Sequence, residues 1–240
     1  MAEPAAQEVA PLQEAAAAMG CGLTTEAASR LLAYLALLQR WNRVHNLTAL
    51  RDPAAMWTHH LLDSLSIVAP LERWAGRRGP RGEGRGLKLV DVGSGGGLPG
   101  VVLAVVRPDW QVVTVDAVTK KAGFVRQVGI ELGLKNLEAQ HARVERLASA
   151  GADLVVSRAF ASLADFCRLT RQHLGAGGAW AAMKGRRPDD EMAALPADVD
   201  VFHVEQLDVP GLDAERHLVW MRPAESALRS MPATGAPVAP

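Results

Sequence analysis

Two carboxylates and a run of glycines carry the most chemically specific spacing in the chain. Asp91-x-Gly93-x-Gly95-x-Gly97 stands between an apolar run at residues 87–92 and a second at 101–106. Glycines at alternate positions let the backbone turn sharply and approach a ligand where a Cβ would collide. Pro99 can open the following helix at its first turn, where free N–H groups favour an anion. A second register, Gly95-x-Gly97-x-x-Gly100, satisfies the G-x-G-x-x-G fingerprint of dinucleotide sites. Asp91 separates the two readings. A carboxylate near the end of a buried strand is costly unless partnered, and S-adenosylmethionine brings an ammonium and a sulfonium where a dinucleotide brings phosphates. A plainer role for Asp91 is to accept hydrogen bonds from the glycine-loop amides. Asp116 lies 23 residues beyond Gly93, at the expected end of the next strand. There a carboxylate meets ribose hydroxyls in either class of nucleoside site.

Other residues narrow the chemistry by what they lack. The fourth expected strand ends in Ser157-Arg158-Ala159-Phe160 and not in an Asn-Pro-Pro-Tyr type motif, so an exocyclic adenine amine is not the expected methyl acceptor. Neither cysteine follows a proline, which removes the nucleophile for the covalent route to cytosine C5. Tyr34 is the single tyrosine, so no Tyr-x-x-x-Lys pair is available for hydride chemistry. His60 and Asp63 stand three residues apart on one side of an expected helix and could act as an acid-base pair or as two ligands. Bridging a neighbouring loop is the stronger reading, because no third metal ligand stands nearby. Cys21 and Cys167 are too few for a disulfide framework or a metal site, which fits a reducing cytoplasm.

The elements that must position these residues follow from periodicity. Residues 1–11 read as a loose tail, residues 12–19 and 25–44 as helices, and residues 53–68 as a third helix carrying His59, His60 and Asp63. Trp41 and Trp57 read as packing residues. Strands are expected at 87–92, 111–116, 137–139, 153–156, 179–184, 199–207 and 217–221, with helices at 119–132, 162–174 and 189–195 between them. This alternation predicts an α/β fold with a doubly wound sheet and ligands across the strand C-termini. The expected organisation is a helical extension at 1–70, a Gly/Arg-rich linker at 71–86, the α/β domain at 87–222 and a disordered tail at 223–240.

Formal net charge is zero, so affinity for nucleic acid has to reside in local patches. Residues 117–187 carry twelve basic and five acidic side chains, whereas residues 188–215 carry nine acidic ones and no Lys or Arg. That segregation suggests a basic and an acidic face. No apolar run is long enough to cross a bilayer, and no basic leader precedes the first helix.

Seven blocks, WNRVHNLTAL, HHLLDSL, DVGSGGGLPG, KKAGFVRQVGIELGL, ARVER, SRAFASL and MKG, occur in order between Trp41 and Gly185. Together they resemble the RsmG family, also called glucose-inhibited division protein B. The resemblance implies a class I SAM-dependent methyltransferase fold, Rossmann-like with a seven-stranded mostly parallel sheet and an N-terminal helical extension. It also implies an enzyme that methylates N7 of one guanine in 16S ribosomal RNA, using S-adenosylmethionine (SAM), in the cytoplasm. The partner would be that RNA or the small ribosomal subunit, with no membrane, metal or obligate protein partner. Carried over by position, the cofactor contacts fall on Gly93, Leu98, Val144, Glu145 and Arg158, beside the Asp91, Gly95 and Asp116 read from spacing. Arg158 is also the expected catalytic residue. Lys120, Lys121 and Arg126 after strand two, with Lys184, Arg186 and Arg187 after strand five, flank the same crevice and are the expected RNA face. The long Gly/Arg linker, the Ala/Pro ends and one residue fewer between Glu145 and Arg158 depart from the pattern. Two other readings remain open: an NAD(P)-dependent oxidoreductase on the second glycine register, and a non-catalytic RNA-binding module.

Overall fold

A computed structural model describes residues 6–78, 86–158, 160 and 162–224. Its N-terminal layer is helical. Helix α1 spans Ala6–Ala18 and α2 spans Thr25–His45. The expected loose tail at 1–11 is thus partly helical, and Pro11 lies inside α1. Leu12 and Ala16 are fully buried, and their burial outweighs the hydrogen bond that Pro11 cannot make. Thr24 caps α2 by accepting the Ala27 N–H at 3.1 Å. At its other end Asn46 adopts a left-handed conformation, φ 48°, and its N–H donates to Asn42.

The expected helix at 53–68 is broken into parts. Asp52 caps α3 (Pro53–Met56), a π-helical segment covers Trp57–Leu62, and α4 covers Asp63–Leu65. The wider turn has a consequence for burial: every residue from His60 to Leu65 is buried, polar ones included. Helix α5 (Val68–Gly76) then occupies the first part of the expected linker. Leu71 is fully buried and Trp74 stacks on Trp220 at 5.9 Å, so apolar contact makes this segment part of the fold. The remaining linker residues 79–85 and the tail from 225 lie outside the described residues.

The rest alternates. In order come β1 (Lys88–Val92), α6 (Gly100–Val106), β2 (Gln111–Asp116), α7 (Thr119–Glu131), β3 (Leu137–His141), a short 3-10 turn (Val144–Arg146), β4 (Ala152–Ser157) and α8 (Leu163–Thr170). Then follow β5 (Leu174–Lys184), α9 (Asp189–Ala193), β6 (Val199–Gln206) and β7 (His217–Pro223). They form one seven-stranded sheet in the order β3-β2-β1-β4-β5-β7-β6, with β7 antiparallel to both of its neighbours and the β1 to β5 pairings parallel. This is the expected mostly parallel, doubly wound architecture. Strand order reverses between β1 and β4, which opens a crevice at their C-terminal ends. Strand β5 starts five residues before the expected 179, because pairing with β4 recruits the glycine-rich Leu174–Gly178 that propensity rejects. Pro223 belongs to β7 and Ala224 is buried, so both precede any tail.

One core lies between the sheet and α1, α2, α6 and α7; the other lies on the opposite face beneath α8. Among the described residues no helix is long and apolar enough to cross a membrane.

Candidate active site

The glycine loop leaves β1 at the crevice. Gly93 donates its N–H to Val115 O at 2.8 Å, Gly95 donates to Asp116 Oδ2 at 2.9 Å, and Gly97 and Leu98 both donate to Ser94 O. Gly93, Gly95 and Gly97 have φ of 72°, 59° and 93°, a region that side-chain-bearing residues rarely adopt. A Cβ on Gly97 would also stand 2.5 Å from Val101 Cγ2. The spacing of glycines read from the sequence is therefore a requirement of this backbone. From Gly93 to Leu98 the Gly96 N–H is the one amide that donates to no group among the described residues.

Asp91, on β1, is fully buried and serves the loop from beneath. Its Oδ2 accepts the Gly100 N–H at 2.8 Å, while its Oδ1 has no hydrogen-bond partner among the described residues. Burial pushes this carboxyl up to about 7, against the opposing pull of the Gly100 hydrogen bond and the Arg158 charge. The plainer role suggested by the sequence thus describes one oxygen and leaves the other unmet. Asp116 sits at the end of β2 as expected; Oδ2 holds Gly95 and Oδ1 accepts the Val118 N–H at 2.8 Å. Each oxygen keeps a lone pair for a further donor.

The other wall comes from the N-terminal layer. Arg158, directly after β4, donates from Nη1 to His59 O at 2.8 Å and to Asp63 Oδ2 at 3.2 Å. Arg216, just before β7, donates from Nε to Asp63 Oδ1 at 2.8 Å. One carboxylate, its side chain 4% exposed, thus holds two guanidiniums that are 25% and 18% exposed. His60 is neutral at pH 7, because burial and the Arg158 charge push its pKa down to about 4. Its Nε2 lies 2.8 Å from Thr48 Oγ1, whose oxygen also accepts the Leu50 N–H at 3.2 Å. His60 and Asp63 therefore bridge neighbouring segments, the stronger of the two readings made from their spacing.

The remaining expected residues are distributed unevenly. Val144 is buried in the core cluster that contains Val92 and Val115, which precede Gly93 and Asp116 in the chain, and its carbonyl lies 2.9 Å from His173 Nε2. Leu98 is buried and joined to Pro99 by a cis peptide. Glu145 is exposed and its carbonyl accepts from Gln172 Nε2 at 3.2 Å; the residue also lines a cavity of about 1160 Å³ with Trp74, Arg171, Phe202 and the glycine-rich start of β5. Lys120 and Arg186 are exposed and Lys121 is half-buried, whereas Arg126 donates to Ala139 O at 3.0 Å and Arg187 pairs with Asp189 at 2.8 Å. Lys184 turns inward. It pairs with Glu191 of α9 at 2.8 Å and donates to Phe160 O, in the loop after β4, at 3.3 Å.

A family profile described as GidB, rRNA small subunit methyltransferase G, matches residues 27–219. The chain belongs to this family. Among curated members, ribosomal RNA small subunit methyltransferase G of Leptothrix cholodnii is 59% identical over 88% of this chain and 94% of that one. Its counterpart in Paracidovorax citrulli is 53% identical over 96% of each. Among solved structures, TrmN from Thermus thermophilus superposes with a TM-score of 0.52 at 19% identity, over 67% of this chain and 49% of that one. A SAM-dependent methyltransferase from Aquifex aeolicus gives 0.50 at 17% identity, over 73% and 96%. These two likenesses are of fold.

Two side chains at the site escaped sequence reasoning. Arg216 stands in an acidic stretch with no motif around it, yet a lone Asp63 in the apolar run HHLLDSL was a signal that a buried cation had to meet it. Tyr34 donates its hydroxyl to Gly96 O at 2.7 Å across 62 residues of chain, and nothing local announces that contact.

Proposed function

We propose that this chain transfers the methyl group of SAM to N7 of a specific guanine in 16S ribosomal RNA, as a cytoplasmic enzyme acting on that RNA or on the small subunit. Membership of the family supports the rRNA substrate. The single observation that carries the cofactor is the unmet, fully buried Asp91 Oδ1 beneath a glycine loop with one uncommitted amide. A carboxyl buried beneath the loop favours a cationic group in the crevice through space, and a free N–H suits a carboxylate; the amino-acid end of SAM has both.

SAM supplies an electrophilic methyl group on a sulfonium. The residues of this chain have the task of holding and aligning. Gly93 and Gly95 keep the loop open to close approach, and the lone pairs left on Asp116 accept ribose hydroxyls. Val144 closes the apolar side where an adenine ring would lie. Arg158 presents a fixed guanidinium beside the acceptor, oriented by Asp63 and His59 O. Guanine N7 carries a lone pair and no proton, so alignment and exclusion of water suffice and no general base is required. Neutral His60 accordingly acts as scaffold. Lys120, Lys121, Arg126, Arg186 and Arg187 offer the RNA backbone its countercharge; Lys184 shapes the loop that carries Phe160.

Titration calorimetry with SAM and with NAD tests the cofactor. Wild type should bind SAM alone, and Gly93→Val should fold yet lose it, because its φ of 72° excludes a branched side chain. Unchanged SAM affinity in that variant would sink the proposed register.

A further inference from the structure

We propose that Tyr34 is a positioning residue of the cofactor site, and that the N-terminal helical layer thereby sets the conformation of the glycine loop. The proposal rests on the assignment of SAM to that loop. Tyr34 is fully buried on α2, and its hydroxyl donates to the Gly96 carbonyl at 2.7 Å. Burial raises its pKa far above the ordinary phenol range, so it remains a donor at every accessible pH. Leu38, one turn further along α2, closes over the same residue: a Cβ on Gly96 would stand 2.9 Å from Leu38 Cδ1. Helix α2 thus grips Gly96 with a polar and an apolar contact.

The grip matters because of what surrounds it. The loop is built from glycines, whose backbone is permissive, and its other hydrogen bonds run to Ser94, Val115, Asp91 and Asp116 in the loop or on β1 and β2. Among the described residues, Tyr34 is the one side chain from outside the α/β domain that fixes a loop peptide. It fixes the residue whose own N–H is uncommitted. Releasing the carbonyl lets that residue rotate, and the conformation in which its N–H faces a ligand becomes only fractionally populated. Apparent affinity falls by that fraction. Helix α2 also reaches the other side of the crevice: Asn42 near its end donates to Leu50 O at 2.7 Å and accepts the Thr48 N–H at 2.9 Å, and Thr48 meets His60.

Tyr34→Phe removes the hydroxyl and keeps the ring. The expected result is a SAM dissociation constant raised about tenfold, the scale of a buried carbonyl left without its donor. Turnover at saturating SAM should stay within about twofold and the KM for RNA should not move, since neither the acceptor nor Arg158 is touched. Trp180→Phe is the control. It deletes a buried hydrogen bond of similar geometry, Nε1 to Thr170 Oγ1 at 2.9 Å, far from the loop. It should lower the melting temperature and leave SAM affinity unchanged. Should Tyr34→Phe prove too unstable to assay, Gly96→Ala presses on the same residue from the Leu38 side and should also weaken SAM binding. SAM affinity equal to wild type in the folded variants, with only the melting temperature reduced, would overturn the proposal. A wild type that binds no SAM would remove the cofactor assignment itself, and the proposal with it.

Discussion

Replacing Asp63 by Asn tests how the two halves of the molecule are joined at the site. Asp63 comes from the N-terminal layer, and its oxygens meet Arg216 Nε at 2.8 Å and Arg158 Nη1 at 3.2 Å. Asn keeps the shape but can accept from only one guanidinium and turns its NH₂ toward the other. A hydrogen bond to a charged group contributes about 1.5 to 3 kcal/mol, and two would give up to about 6. The arginines are 25% and 18% exposed and recover part of this from water, so a net loss of about 3 kcal/mol is expected. For a chain of this size that corresponds to a fall in melting temperature of roughly 6 to 12 °C. Urea unfolding should show a lower midpoint at unchanged slope, because the exposed surface does not change. Methyl transfer should fall as well, since Arg158 loses its anchor, while SAM affinity declines less. The double variant Asp63→Asn with Arg158→Gln should lose less than the sum of the two single changes. A melting temperature within 2 °C of wild type, by an order-of-magnitude reading of the same scale, together with full additivity would refute the claim that Asp63 couples the layers.

Three other outcomes follow from the geometry. The Asp91 carboxyl is raised to about 7 by burial, so the folded state holds its proton more tightly than the unfolded chain; its contribution to stability is full below about pH 4 and is lost as pH rises through 7. His60, pushed down to about 4, acts with the opposite sign, so the contrast to measure is Asp91→Asn against wild type. That variant should gain relative stability as pH rises from about 4 to about 7, and bind SAM more weakly; parallel stability curves would contradict it. Neutralising Lys120, Lys121, Arg186 and Arg187 together should weaken RNA binding and flatten its salt dependence, each lost phosphate contact lowering the slope by about 0.7 on single-stranded RNA, with SAM affinity unchanged. Equal salt slopes would move the RNA surface elsewhere. Arg158→Ala should lose turnover and some cofactor affinity together, and a purely structural arginine would lose neither in the folded variant.

The parts legible in the sequence are those whose chemistry is local. Gly93, Gly95 and Gly97 announce a backbone that only glycine adopts, Asp116 stands at the end of its strand, and the apolar runs fix a sheet whose alternation is periodic. What escaped is set by contacts across the chain. Pro11 hides a helix that exists because Leu12 and Ala16 are buried beneath it. Arginine and glycine made residues 71–76 look like linker, although Leu71 and Trp74 pack into the core. Lys184 counted as a basic residue until Glu191, seven positions on, proved to face it. Tyr34 carries no motif, and only the packing of α2 over the loop gives it a partner.

Methyl transfer from isotopically labelled SAM to 16S ribosomal RNA, as free RNA and within small subunits, with the labelled base identified after digestion, tests the central claim most directly. The account predicts label on N7 of guanine at a single position, lost in Gly93→Val and Arg158→Ala. Label on another atom or base, or a folded SAM-bound wild type that labels neither form of the RNA, would contradict it.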